Sequence, residues 1–141
     1  MSPLRNALLA ALLMAAQAHA QTDEEWLTIH GFPEDKAGDV VQINPTQIPW
    51  QNQFTMEVRV SRSTPRSSYR KHPYRSFKGV AVIDCSTQKG WYLSLNYYGE
   101  PAWQGPVTGR EEYKENEAPV TFTGMPGEPA RKLITASCKK R

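Results

Sequence analysis

Phe54, Met56, Val58 and Val60 alternate strictly with Thr55, Glu57, Arg59 and Ser61. This period of two marks a strand with one buried and one wet face. Shorter runs of the same kind precede it. Trp26-Leu27-Thr28-Ile29-His30 is aromatic and β-branched and reads as a first strand, ended by Gly31-Phe32-Pro33. An acidic stretch through Gly38 then turns the chain into Val40-Val41-Gln42-Ile43, a second strand. Asn44-Pro45 closes it, because the residue before a proline is pushed away from helix. Val80-Ala81-Val82-Ile83 is almost continuously apolar, as a central strand should be. Residues 78–85 and 91–98 form the best hairpin, turning at Ser86-Thr87-Gln88-Lys89-Gly90. In its second arm Trp91, Leu93, Leu95 and Tyr97 share one face, and Tyr92, Ser94, Asn96 and Tyr98 the other. That phase puts Trp91 and Tyr97 in the core with Leu93 and Leu95. It leaves Tyr92 and Tyr98, with Trp103 from the Pro- and Gly-punctuated connection 99–109, as an exposed contact patch. Residues 62–75 contain Pro65, Pro73 and several serines with no apolar period, and read as a loop. Val120-Thr121-Phe122-Thr123 suggests one more strand, ending at Gly124.

The tail reads two ways. As a strand, Ile134, Ala136 and Cys138 alternate onto one face. As a helix, Pro129 suits the first turn, and Ala130, Leu133, Ile134, Ser137 and Cys138 form a narrow apolar stripe. Lys139, Lys140 and Arg141 would then sit at the negative end of the helix dipole. We favour the helix. In both readings Cys138 points with the apolar side, and Cys85 shares a strand face with Ala81 and Ile83, so the two sulfurs can meet in the core.

The leader supplies the redox context. Arg5 precedes an apolar run from Ala7 to Ala16, and Ala18-His19-Ala20 provides a small-x-small cleavage pattern. Residues 1–20 therefore read as a signal peptide, and residues 21–141 as one domain beginning at Gln21. The run is about half the roughly 20 residues a membrane-spanning helix requires. Export places the two cysteines, Cys85 and Cys138, in an oxidising compartment, where a lone pair forms a disulfide. With Gln at position 21, the site lacks the cysteine of a bacterial lipid anchor. The expected fate is a free periplasmic or secreted protein, with surface display undecided.

Loss of Arg5 takes Lys+Arg from 17 to 16 against 14 acids, so the net charge falls from +3 to +2. The modest total hides a segregation. No acid lies between Val58 and Ile83, while Arg59, Arg62, Arg66, Arg70, Lys71, Arg75 and Lys78 all do. Such a stretch is commonly a solvated loop, but it also attracts anionic partners. Tyr69 and Tyr74, interleaved with these cations, add apolar contact. Arg66, Tyr69, Arg70, Lys71, Tyr74 and Arg75 are therefore the candidate ligand-binding residues. Nucleic acid is disfavoured for an exported chain of so small a net charge.

Catalytic material is thin. Only His30 and His72 remain after the leader is lost, and neither has recognisable metal spacing. Pairing removes the free thiol that a Cys-His nucleophile needs. No nucleophile elbow or phosphate-cradling glycine loop is present. The reading is a non-enzyme with no cofactor and no metal.

Tyr74-Arg75-Ser76-Phe77-Lys78, then Val80-Ala81-Val82-Ile83-Asp84-Cys85, then an aromatic strand ending Tyr97-Tyr98-Gly99, resemble the surface-adhesin protein E family of bacterial envelopes. The early Trp26 strand and the late Cys138 match as well, so the resemblance spans most of residues 24–138. It implies an α+β fold: a small antiparallel β-sheet with a short C-terminal helix tethered to it by a disulfide. It also implies adhesion to host extracellular-matrix proteins such as vitronectin and laminin, and to plasminogen; the basic segment from Arg59 to Lys78 adds an acidic polysaccharide as a candidate ligand. The competing expectation is a periplasmic structural or assembly-associated domain that self-associates through a sheet edge.

Overall fold

The computed structural model describes residues 26–44 and 48–139 of the chain. The segment expected to be a signal peptide, the expected start at Gln21 and the last two cations lie outside the described residues. The elements are β1 (Leu27–His30), β2 (Val40–Ile43), β3 (Ile48–Trp50), β4 (Gln53–Ser67), β5 (Pro73–Asp84), β6 (Lys89–Tyr98), β7 (Val107–Glu112) and α1 (Pro129–Cys138). The strands form one antiparallel sheet in the order β1-β2-β4-β5-β6-β7. β3 continues β2 along the same edge of β4, pairing Ile48 with Thr55 where β2 paired Ile43 with Val58. With one short α-helix against seven strands among the described residues, the fold is mostly sheet, and the α+β label describes it only loosely.

The alternation in β4 does what it predicts. Met56, Val58 and Val60 are buried, and Glu57 between them is exposed. Their face of the sheet is covered by the C-terminal segment, residues 113–138, which runs back across it. Tyr113, Ala118, Val120, Phe122, Met125 and Leu133 from that strap join Val41, Ile43, Phe77, Ala81, Ile83 and Leu95 in one core. α1 closes the end of the strap. Pro129 occupies its first turn, and Leu133 and Ser137 are buried with Ile134 and Cys138 packed alongside. The Ser137 hydroxyl donates to the Leu133 carbonyl one turn back, at 2.8 Å. Cys138 at the end of α1 is disulfide-bonded to Cys85 just past β5, with Cα atoms 5.6 Å apart. The helix and the disulfide pairing stand as expected.

Three features depart from the sequence pattern. First, residues 62–75 are not a loop. β4 runs on to Ser67 and β5 starts at Pro73, so only residues 68–72 turn. Between the pairs Ser61–Ser76 and Arg66–Tyr74, four β4 residues oppose Arg75 alone. This wide bulge orphans main-chain carbonyls, and Arg75 satisfies two of them: Nε donates to Arg62 O at 2.7 Å and Nη2 to Ser63 O at 3.0 Å. Second, the pairing shifts in β6, since Val80 faces Ser94 and Ala81 faces Tyr92, leaving Leu93 as an extra residue. A bulge reverses the side-chain phase beyond it. Tyr92 therefore joins the core while Leu93 is only partly buried. Third, residues 120–123 form no strand. The strap forms an isolated β-bridge with the sheet, Trp91 to Pro119, and the added strand is instead β7, within the connection expected to be irregular.

Gly31 is needed where β1 leaves the sheet. Its φ is +84°, and a Cβ there would lie 2.0 Å from the Asp39 carbonyl oxygen. Only glycine lets the turn return that closely.

Candidate binding surface

Each cation of the acid-free stretch is placed by its position along β4, the 68–72 turn or β5, and most are engaged within the molecule. Arg62 is buried: its Nε pairs with Asp39 at 3.1 Å and its Nη2 donates to the Thr123 carbonyl at 2.8 Å. Arg66 Nη2 donates to the same carbonyl at 3.0 Å. Arg75 braces the β4 bulge. Arg59 lies on the opposite, outer face, where its guanidinium sits between the Trp26 and Trp103 rings, 4.2 and 4.3 Å from their centroids. Its Nε donates to Gln42 at 2.7 Å. The stretch is acid-free in sequence, but the fold brings Asp39 and Glu117 to it.

The turn at residues 68–72 is what projects. Ser68 organises it: its hydroxyl accepts from the Arg70 and His72 amides at 3.2 and 2.9 Å and donates to Glu111 at 2.7 Å. Lys71 takes a left-handed φ of +75° and donates its amide to the Ser68 carbonyl. Tyr69, Arg70 and Lys71 are exposed in sequence at this tip, Tyr69 by 54%. Arg70 lies over the Tyr113 ring at 5.0 Å and pairs with Glu117 at 3.1 Å. That hydrogen bond holds the Arg70 guanidinium above its ordinary pKa. The Glu117 carboxyl is held below its own, first by the Lys114 amide and then by Arg70. His72 docks the turn on β7, with its ring 5.6 Å from Tyr97 and 3.1 Å from the Thr108 hydroxyl.

The six candidates therefore divide. Tyr69, Arg70 and Lys71 come together at the hairpin tip, and Arg66 lies one strand-end away, half-buried. Arg75 faces the bulge. Tyr74 is buried in the core against Phe77 and Tyr97, at 5.5 and 5.0 Å between centroids, and supports the tip without reaching solvent.

The aromatic patch expected from β6 is not formed. Tyr92 and Tyr98 are both buried. Trp103 is half-buried, pinned by its indole N–H, which donates to Phe77 O at 2.9 Å and Val60 O at 3.2 Å. Two features escape sequence reading altogether. One is a polar row across the outer face: Thr28, Gln42, Arg59, Lys78, Asn96 and Arg110 are successive cross-strand neighbours. Its only sequence signal was the wet side of the β4 alternation. The other is Glu111, buried and accepting from Ser68, Tyr97 and Tyr113 hydroxyls.

Among the described residues, no three His, Cys, Asp or Glu side chains cluster as metal ligands. No helix among them is long and apolar enough to cross a membrane. The described residues thus form a small antiparallel sheet, strapped and stapled by the C-terminal segment and presenting a basic hairpin tip. The family model for surface-adhesin protein E matches residues 26–139, and the chain belongs to that family. No curated protein and no solved structure matches it.

Proposed function

We propose that this protein is an exported bacterial envelope binding module, a non-enzymatic adhesin that takes an acidic ligand at the β4–β5 hairpin tip. The ligand class is an acidic polysaccharide or an acidic segment of a host matrix protein. The carrying observation is the exposed run Tyr69-Arg70-Lys71 on a turn fixed by Ser68. An aromatic followed by two cations supplies apolar area and charge at low entropic cost, because the turn is already ordered. Membership of the surface-adhesin family and the leader pattern support the exported role.

Each exposed ion pair contributes about 0–1 kcal/mol, so three residues together carry roughly a tenfold effect. Capture on immobilised heparin and on vitronectin tests the proposal. The triple variant Tyr69→Ala, Arg70→Ser, Lys71→Glu should bind at least tenfold more weakly while circular dichroism shows the sheet intact. Wild-type binding should weaken steeply with salt, as screening shortens to about 8 Å at physiological ionic strength. Equal binding by the triple variant, or no wild-type capture at low salt, would remove the adhesin reading.

A second reading rests on the sheet edges. β7 pairs only with β6 among the described residues, and Val107 on it is half-exposed. An open edge of this kind pairs with a second strand. Protease added to intact cells separates the two roles, because a periplasmic assembly domain stays protected.

A further inference from the structure

Between the sheet and the strap lies a cavity of about 240 Å³. This is a little below the usual range of ligand pockets, roughly 300–1,000 Å³. Its walls are mixed: Phe77, Leu95, Tyr97 and Phe122 supply apolar and aromatic surface, and arginine, serine and threonine side chains the rest. Exposed Tyr69, Thr121 and Thr123 also border it, so it reaches the surface.

Two polar features face this space. The Tyr92 side chain lines the cavity and the residue is only 7% exposed, yet no described residue hydrogen-bonds its hydroxyl. Its hydrogen-bonding contacts are otherwise main-chain, the amide donating to Ala118. A buried hydroxyl left unpaired costs about 1–3 kcal/mol, so its retention calls for a partner. Arg62 and Arg66 form the second feature. Both converge on the Thr123 carbonyl and line the cavity, and Asp39 pairs with Arg62 alone. Two guanidiniums against one carboxylate leave a positive charge at that wall.

We propose that this cavity binds a small monocarboxylate with a flat or short aliphatic body, its carboxylate at Arg66 and its body against the aromatic walls, within reach of the Tyr92 hydroxyl. A guanidinium presents five donors, of which Arg66 spends one on Thr123, so a carboxylate is the anion its fork fits. Burial raises the Tyr92 pKa well above that of a free phenol, so the hydroxyl stays a neutral donor. The site adjoins the hairpin tip, with Tyr69 at its rim, but it takes its anion at Arg66 and does not depend on the adhesin reading.

The test uses the oxidised protein with benzoate and hexanoate as probes, and benzyl alcohol and hexanol as neutral counterparts. Calorimetry and amide chemical shifts are followed to roughly 10 mM, tenfold above a 1 mM dissociation constant. We expect saturable binding of at least one carboxylate, tenfold or more tighter than its alcohol. Arg66→Gln should erase that preference. Tyr92→Phe should weaken binding three- to tenfold while leaving the melting temperature unchanged or raised, because it removes an unpaired buried hydroxyl. Lys71→Glu should bind the probes as the wild type does. The proposal fails if no probe saturates, if alcohols bind as tightly as carboxylates, or if Tyr92→Phe binds as the wild type. A fall of several degrees in the melting temperature of Tyr92→Phe also overturns it, since the hydroxyl would then already be satisfied.

Discussion

Replacing Cys85 and Cys138 together by Ala should cost about 4 kcal/mol, most of it through the unfolded chain. The two residues are 53 positions apart. In the chain-entropy treatment a crosslink removes about 2.1 + 1.5R ln n cal/mol/K from the denatured ensemble, which for a loop of this length gives about 14 cal/mol/K, or about 4 kcal/mol at 25 °C. Small domains have about 5–15 kcal/mol in total, so the loss is a large share. The structure also says where the loss should appear first. α1 has ten residues, too few to be stable alone in water, and it is held by Leu133, Ser137 and the disulfide. Urea unfolding should give a lower midpoint and a steeper dependence on denaturant, since an uncrosslinked denatured chain exposes more surface. Hydrogen exchange should show the α1 amides losing protection before those of β4 and β5. Leu133→Ala is the control: it should cost about 2–5 kcal/mol by cavity formation without steepening the denaturant dependence. A double-Ala variant that loses under about 1 kcal/mol and keeps α1 protected would refute the view that the disulfide holds the strap on the sheet.

Gly109 leaves room for the His72 ring, since a Cβ there would lie 2.7 Å from it. Gly109→Ala should therefore cost about 1–3 kcal/mol, and His72→Ala added to it should recover part of that loss; strict additivity in thermal melts would show that the two do not touch. Burial raises the pKa values of Tyr74, Tyr92, Tyr97 and Tyr113, foremost among their causes. A phenol with a raised folded pKa contributes stability that is complete below its unfolded value of about 10 and lost as pH climbs above it. Phenolate absorbance from these four should thus rise together with loss of circular dichroism in the alkaline range, and their ionisation with the dichroism intact would contradict the packing described.

Much of the sheet was legible because local chemistry and burial agree there. The β4 alternation from Phe54 to Ser61, the apolar run of β5 and the turn into β6 each encode strand and face within a few residues. The tail stripe and its proline encode α1, and two cysteines with compatible faces encode their own pairing. The candidate site was legible only in part. A charge-rich stretch advertises cations, but a linear chain does not say which of them are already engaged.

That distinction is tertiary. Arg62 is buried because Asp39 and the Thr123 carbonyl arrive from distant segments, so a strand continued where the sequence looked like a solvated loop. Arg75 is committed by a bulge that exists only once β4 and β5 pair. One extra residue at Leu93 moved Tyr92 from an expected outer patch into the core and beside a cavity. The sequence by itself determined most of the strands, the apolar stripe of the tail and the disulfide, because these rest on short-range periodicity and on residue chemistry. Only the tertiary structure decided which cations stay exposed, which tyrosines are buried and where the strap leaves space, because each depends on partners contributed by chain segments far apart in sequence.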